Sequence, residues 1–399
     1  MSRRLPAVAS PISIGAVARA GFGAAFAGPR MQEQARSGIT EKFGASAIIA
    51  TDSGTSALVL ALQLAAPRGG VVGFPGYACV DLAAAALFAG VRVRLYDLDP
   101  ATLGPDLSSV ERLLQRGVDV LVAAHLFGYP VDVPAMRTLA ASAGVPLVED
   151  AAQSAGGTLN GKPLGSLGDL SVLSFGRGKG LCAGGGGALL AFNDKWDDAV
   201  GRVQVSSSGR GFLGLATTAV QWGLGRPSLY AIPSMIPGLH LGEMVYHPAR
   251  EPKRMSPGSS ALLASALALA PGAVAIRRRH AREFDIAVSG APRAGGTQTI
   301  PGAEPGYLRY ALRDMGEGRD AAPALGIVRP YPQTLAEQPQ LAPILLSGEP
   351  AIPGATELRR SLYTLPTHGF VTSSDMARIT EWIRVPAHVP NAHQRARVG

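Results

Sequence analysis

From Ala47 onward, short apolar runs alternate with amphipathic stretches. Residues 46–49 read as a strand, the SALVLALQLAA run that follows a glycine turn as a helix, and 71–74 (VVGF) as the next strand. Helices are then expected over 80–89, 107–115 and 133–143, with strands over 91–95, 118–123 and 146–149 between them. Such alternation predicts an α/β fold, a mostly parallel central sheet covered by helices on both faces. Past residue 194 the pattern loosens. The stretch 212–246 is rich in apolar residues, Gly and Pro and reads as a buried arm or an interface, with ordinary core the preferred reading. A long helical pattern returns over 255–280, and the remainder looks like a small α+β unit ending in a polar, frayed tail.

Length supports two units, because 399 residues exceed the size at which one core keeps growing. The expected division is a large domain over 1–248, with 201–246 unplaced inside it, a small C-terminal domain over 249–387, and a disordered tail over 388–399. A hydrophobic share of 47% against 17% charged excludes a disordered chain. Cys79 and Cys182 cannot make a disulfide framework and suggest a reducing, cytoplasmic setting. Pro6, Pro11 and Arg19 interrupt the N-terminal stretch, so no signal peptide is expected. The most apolar later run, 212–224, is shorter than the roughly 20 residues a bilayer span needs, so no transmembrane helix is expected.

The net charge of +8 is compatible with nucleic acid, anionic lipid or a polyanionic small substrate. Its densest run is Arg277, Arg278, Arg279 and Arg282, at helical spacing, which reads as a solvated helix face. No zinc-finger spacing or aromatic RNA-binding motif accompanies it, so no nucleic-acid partner and no metal are expected.

Three clusters carry chemistry, each in a loop after an expected strand, where open α/β sheets place ligands. In DSGTSAL, Gly54, Thr55 and Ser56 open a helix whose free amides and hydroxyls suit a phosphate, although a plain capping turn uses the same residues. In LVEDAAQSAGG, a strand ends in Glu149 and Asp150, with Gln153 on the following turn. An acid there is costly to bury unless something cationic meets it, and a protonated pyridine nitrogen would serve; a helix cap is the alternative. In GDLSVLSFGRGKGLCAGGGGALL, Ser174 ends a strand and Lys179 follows among glycines. Such a lysine suits a Schiff base, its amine activated by desolvation, although a loop lysine reaching solvent is also possible.

In this order and spacing the clusters resemble the DegT/DnrJ/EryC1/StrS sugar aminotransferases, enzymes of the PLP-transferase fold type I. The resemblance rests on Asp150 to Gln153, on Gly165 to Asp169, and on Ser174 to Lys179. HLFGYPVDV and the C-terminal LRRSLYTLPTHGF are similar to further family segments. The resemblance implies that pyridoxal 5′-phosphate (PLP) is held as a Schiff base on Lys179, with Asp150 on the pyridine nitrogen. Gln153 would approach the phenolic oxygen, and Ser174 with Gly54, Thr55 and Ser56 would cup the phosphate. It also implies a homodimer, an amino donor such as glutamate, and a nucleotide-linked keto-sugar as acceptor.

Three positions depart from the family pattern. Cys79 stands where a ring usually stacks on the pyridine, Gly178 precedes the lysine where Thr or Ser is common, and Pro252 replaces an Asn that reaches the partner's phosphate. Alternatives are therefore PLP-dependent elimination, amination of a cyclitol or other non-sugar ketone, or a non-catalytic PLP-binding regulator. Contact of 212–246 with a membrane surface is not favoured.

Overall fold

The computed structural model describes residues 3–234, 244–316 and 318–384. The expected tail 388–399 and part of the unplaced segment lie outside these residues. Two helices precede the first strand, α1 (Ile14–Phe26) and α2 (Gly28–Phe43). Then β1 (Ala47–Thr51), α3 (Gly54–Ala65), β2 (Val71–Pro75), α4 (Asp81–Ala89), β3 (Arg92–Tyr96), α5 (Leu107–Gln115), β4 (Val120–Ala124), α6 (Val133–Ser142) and β5 (Leu147–Asp150) follow the expected alternation. A hairpin of β6 (Thr158–Leu159) and β7 (Lys162–Pro163) leads to β8 (Leu170–Ser174) and β9 (Gly187–Ala191).

The main sheet has seven strands in the order β1-β9-β8-β5-β4-β2-β3, and only β9 runs against its neighbours. Sequence periodicity holds here because β2 and β4 are buried throughout, as strands covered on both faces must be. Leu147 and Val148 of β5 enter two different cores, one on each face of the sheet. In an open sheet of this kind ligands are expected at the strands' C-terminal ends.

Six more helices and two smaller sheets follow among the described residues, and the first four helices are α7 (Asp194–Arg202), α8 (Phe212–Leu224), α9 (Ala231–Ser234) and the long α10 (Pro257–Ser289). β10 (Ala294–Gly296), β12 (Tyr310–Asp314) and β13 (Leu362–Leu365) form a small antiparallel sheet, while β11 (Ala303–Glu304) pairs with β6. α11 (Pro353–Ser361) and α12 (Ser373–Arg384) pack beside them. The first half of α10 lies on α1 and α2, whereas Ala281, Phe284 and Ala287 of its second half enter the core of the small sheet. Leu5 joins that same core, and Arg3 pairs with Asp375 at 2.9 Å. The expected division at 248/249 therefore does not coincide with a break in packing.

Three expectations are corrected. Residues 212–224 are not ordinary core: α8 buries Leu215 and Thr218 but leaves Leu213 80% and Val220 57% exposed. The arginine run is not a uniformly solvated face. Arg277 is buried and donates to Ala155 O at 3.0 Å, while Arg278 donates to Gly156 O at 3.3 Å and to Pro305 O at 3.0 Å, so these two side chains tie down the loop after β5. Finally, the expectation of no helix suited to a span weighed only 212–224, whereas α10 is long and apolar enough to cross a membrane by length and composition alone. α10 packs on α1, α2 and α12, and its His280 is buried against Thr367 O at 2.9 Å.

Candidate active site

Adjacent residues on β5 point to opposite faces, and this separates Glu149 from Asp150. Glu149 is fully buried, accepts from the amides of Gly165 (2.6 Å), Leu167 (2.7 Å) and Gly168 (3.1 Å) and from Ser171 Oγ (2.8 Å), and meets His125 Nε2 at 2.9 Å. Burial pushes its carboxyl pKa up, yet His125 and the amides of Gly165 and Leu167 outweigh this and hold it below the ordinary range. Asp150 is the opposite case. Among the described residues its side chain accepts one hydrogen bond, from Ala152 N at 3.0 Å, and has no ion pair. Desolvation raises its pKa, opposed by the Ala152 amide, Lys179 and His125 and reinforced by Asp81.

Lys179, whose charge acts on Asp150, lines a cavity of about 1310 Å³ together with Gly54, Thr55, Cys79, Gln153 and Ser174. Ser53 caps α3 by accepting from Ser56 N at 3.0 Å, and the hydroxyls of the two serines lie 2.9 Å apart. Ser56 is thereby buried and turned inward, leaving the amides of Gly54 and Thr55, which have no acceptor within their own helix, at the opening. Ser174 sits against this helix start, where a Cβ on Gly54 would come within 2.7 Å of Ser174 Cβ and only glycine fits. Lys179 lies in the β8–β9 loop. Its amide donates to Gly176 O at 3.3 Å and its carbonyl accepts from Ser10 Oγ at 2.9 Å, so the N-terminal segment pins the loop. Gly178 before it has φ 74°, the left-handed region, which accounts for glycine where the family uses Thr or Ser.

The Cys79 thiol donates to Asp81 Oδ2 at 3.4 Å, and burial first and Asp81 second push its pKa up, so it stays neutral. Gln153 is held at both ends of its amide: Oε1 accepts from Phe127 N at 3.1 Å and Nε2 donates to Tyr331 Oη at 2.8 Å. Pro252 is buried in the segment whose Lys253 carbonyl accepts from Asp52 N at 2.8 Å, just ahead of α3. Phe127, Arg309 and Tyr331 also line the cavity, and none stood out in the sequence. A positive φ of 55° at Phe127 and the Phe127–Tyr331 ring contact at 5.4 Å depend on distant segments meeting, and only the HLFGYP motif around Phe127 hinted at them.

Residues 14–214 match the model of the DegT/DnrJ/EryC1/StrS aminotransferase family. The chain belongs to this family. It is 33% identical over 143 residues to a UDP-N-acetyl-3-dehydro-alpha-D-glucosamine 3-aminotransferase of Acidithiobacillus ferrooxidans, covering 36% of this chain and 39% of that protein. It is 34% identical over 148 residues to an L-glutamine:2-deoxy-scyllo-inosose aminotransferase of Streptoalloteichus tenebrarius, covering 37% of this chain and 35% of that one. The matches thus span well under half the length of these relatives. Among solved structures, AtS13 from Actinomadura melliaura superposes with a TM-score of 0.73 over 96% of this chain and 99% of that one, at 24% identity.

The family's cofactor is PLP. The residues present fit it: Asp150 has a desolvated carboxyl with no ion pair among the described residues, and the start of α3 at Gly54 and Thr55 lines one cavity with Ser174 and Lys179.

Proposed function

We propose that the chain is a PLP-dependent aminotransferase that moves the amino group of an amino acid, glutamate in the first instance, to a keto group on a nucleotide-linked sugar. The observation that carries this reading is that Lys179 lines one cavity with Gly54, Thr55 and Ser174 while its charge acts on the desolvated carboxyl of Asp150. When bound, the cofactor supplies an aldehyde that condenses with amines and a ring that takes up electron density. Asp150 would hold the pyridine nitrogen through a charge-assisted bond, and Lys179 Nζ would make the covalent link. The amides of Gly54 and Thr55 with Ser174 Oγ would hold the phosphate. Ser56 would support that cup through Ser53 rather than touch it. Gln153, fixed between Phe127 and Tyr331, would stand near the phenolic oxygen. The Lys179 amine would also serve as the base that moves a proton at the substrate carbon.

Retained Lys179 supports transamination over elimination, because family dehydratases resemble this site with His in its place. A cyclitol ketone is the second reading, supported by the likeness to the relative named for 2-deoxy-scyllo-inosose. A homodimer in the cytoplasm belongs to the same proposal, and the exposed apolar positions Phe22, Phe26 and Leu213 are ones a second copy could cover. The test is a screen of nucleotide keto-sugars and cyclitol ketones with glutamate or glutamine as donor, reading 2-oxo acid release. No amino transfer to any member of the panel would sink the reading.

A further inference from the structure

The segment 3–12 leads from the small antiparallel sheet to the loop that carries Lys179, and residues 6–12 line the cavity on the way. Its outer end is well anchored. Arg3 pairs with Asp375 at 2.9 Å and donates to Phe370 O at 2.7 Å, while Leu5 is buried in the core of the small sheet and its amide donates to Ala324 O at 3.0 Å. His368 Nδ1 accepts from Phe370 N at 3.3 Å, which leaves the proton on Nε2 to donate to Pro6 O at 2.8 Å. At the inner end Ser10 Oγ donates to Lys179 O at 2.9 Å, and Ile12 packs on the core shared by α1, α2 and α10. Burial raises the pKa of the Cys182 thiol, and the Gly184 amide and the Ser10 hydroxyl oppose the rise, so Ser10 also meets the returning arm of the lysine loop.

That loop has little of its own to hold it. Seven of the twelve residues 176–187 are glycine, the residue that loses most backbone freedom on ordering. The Lys179 amide makes a long bond to Gly176 O at 3.3 Å, and among the described residues Ser10 is the one donor to its carbonyl. Close packing on the other side comes at Gly180, where a Cβ would lie 2.7 Å from Ala155 Cβ and 2.9 Å from Arg277 Nη1. The backbone of Lys179 is thus located by the strap more than by its own loop. We propose that Ser10 is a positioning residue for Lys179: held from the small sheet by segment 3–12, its hydroxyl fixes the lysine's carbonyl and so seats the amine for condensation with the cofactor's aldehyde. In that step Nζ bonds to the aldehyde carbon and one water leaves. The inference rests on the PLP reading of the site and is independent of the acceptor.

The test adds PLP to cofactor-free wild type, Ser10→Ala, Ser10→Thr and Arg3→Gln and follows the covalent link by its visible absorbance. Ser10→Ala is expected to slow link formation about three- to tenfold, the worth of one hydrogen bond, and Ser10→Thr, which keeps the hydroxyl, to stay within about twofold of wild type. Arg3→Gln loosens the outer anchor and is expected to slow it about twofold, with no further loss when added to Ser10→Ala. A general structural role is separated in the Lys179→Ala background, where PLP binds without the link. There, removing Ser10 should leave PLP affinity, read by equilibrium dialysis, within about twofold. Link formation in Ser10→Ala at the wild-type rate would overturn the proposal. So would an equal fall in PLP affinity with and without Lys179, since Ser10 would then shape the cavity at large. Link formation that depends on Ser10 in a protein with no amino transfer would leave Ser10 in its role and remove the aminotransferase reading alone.

Discussion

Glu149 and Asp150 are neighbours on one strand, yet the fold closes one and leaves the other open. Around Glu149 the chain supplies three amides, a hydroxyl and an imidazole, and nothing further is needed. Around Asp150 it supplies a single amide and then stops. The lesson is that a buried acid saturated by its own chain reads as structure, whereas one that is desolvated and left short reads as a place kept for a ligand's charge.

The comparison can be broken most severely at Lys179, on the open side. Lys179→Ala is expected to abolish both the covalent link and turnover while PLP still binds noncovalently. Borohydride reduction and peptide mapping check this, and a reduced cofactor on Lys162 or Lys195 would refute the assignment. Next, Asp150→Asn should slow turnover roughly 100-fold or more with the fold intact. Near-normal turnover would mean that Asp150 serves only as a cap. On the closed side, Glu149→Ala should cost about 3–5 kcal/mol in stability, read by denaturant unfolding, because it strands buried donors.

A milder probe is the pH dependence of the cofactor-free protein. The Glu149 pKa is depressed on folding, so its stabilisation is full above the ordinary value near 4.5 and is lost as pH falls through the lower folded value. The Asp150 pKa is raised, so ionising it costs stability as pH rises from the ordinary 3.8 through the folded value. Acid melting curves of Glu149→Gln should therefore lose the acid limb, and those of Asp150→Asn should be flat or higher near neutrality. Equal slopes in both variants would erase the distinction. The smallest effect is expected at Cys79, whose neutral thiol adds little to a ring face. Cys79→Phe should leave PLP binding equal or tighter, and complete cofactor loss with the fold preserved would show a specific role for the thiol.

Much of the sheet was legible in advance. β2, α5 and β5 fall within a residue or so of their expected places, because strands buried on both faces are continuous apolar runs and α5 has a strongly one-sided apolar face. The helices α1 and α2 were not foreseen, since glycines and short alanine-rich runs give weak periodicity until α10 covers them. Arg277 misled for a related reason, as an arginine at helical spacing looks solvated until the carbonyl of Ala155 comes to meet it.

Sequence alone determined the strand and helix alternation and the order Gly54, Asp150, Ser174, Lys179, because periodicity and loop motifs are properties of neighbouring residues. It could not determine how fully the chain saturates Glu149, that Ser56 turns inward to Ser53, or that Ser10 pins the Lys179 loop. Nor could it bring Phe127, Arg309 and Tyr331 to one wall. Those choices belong to the tertiary structure, because each depends on which polar groups distant segments happen to satisfy and which they leave without a partner.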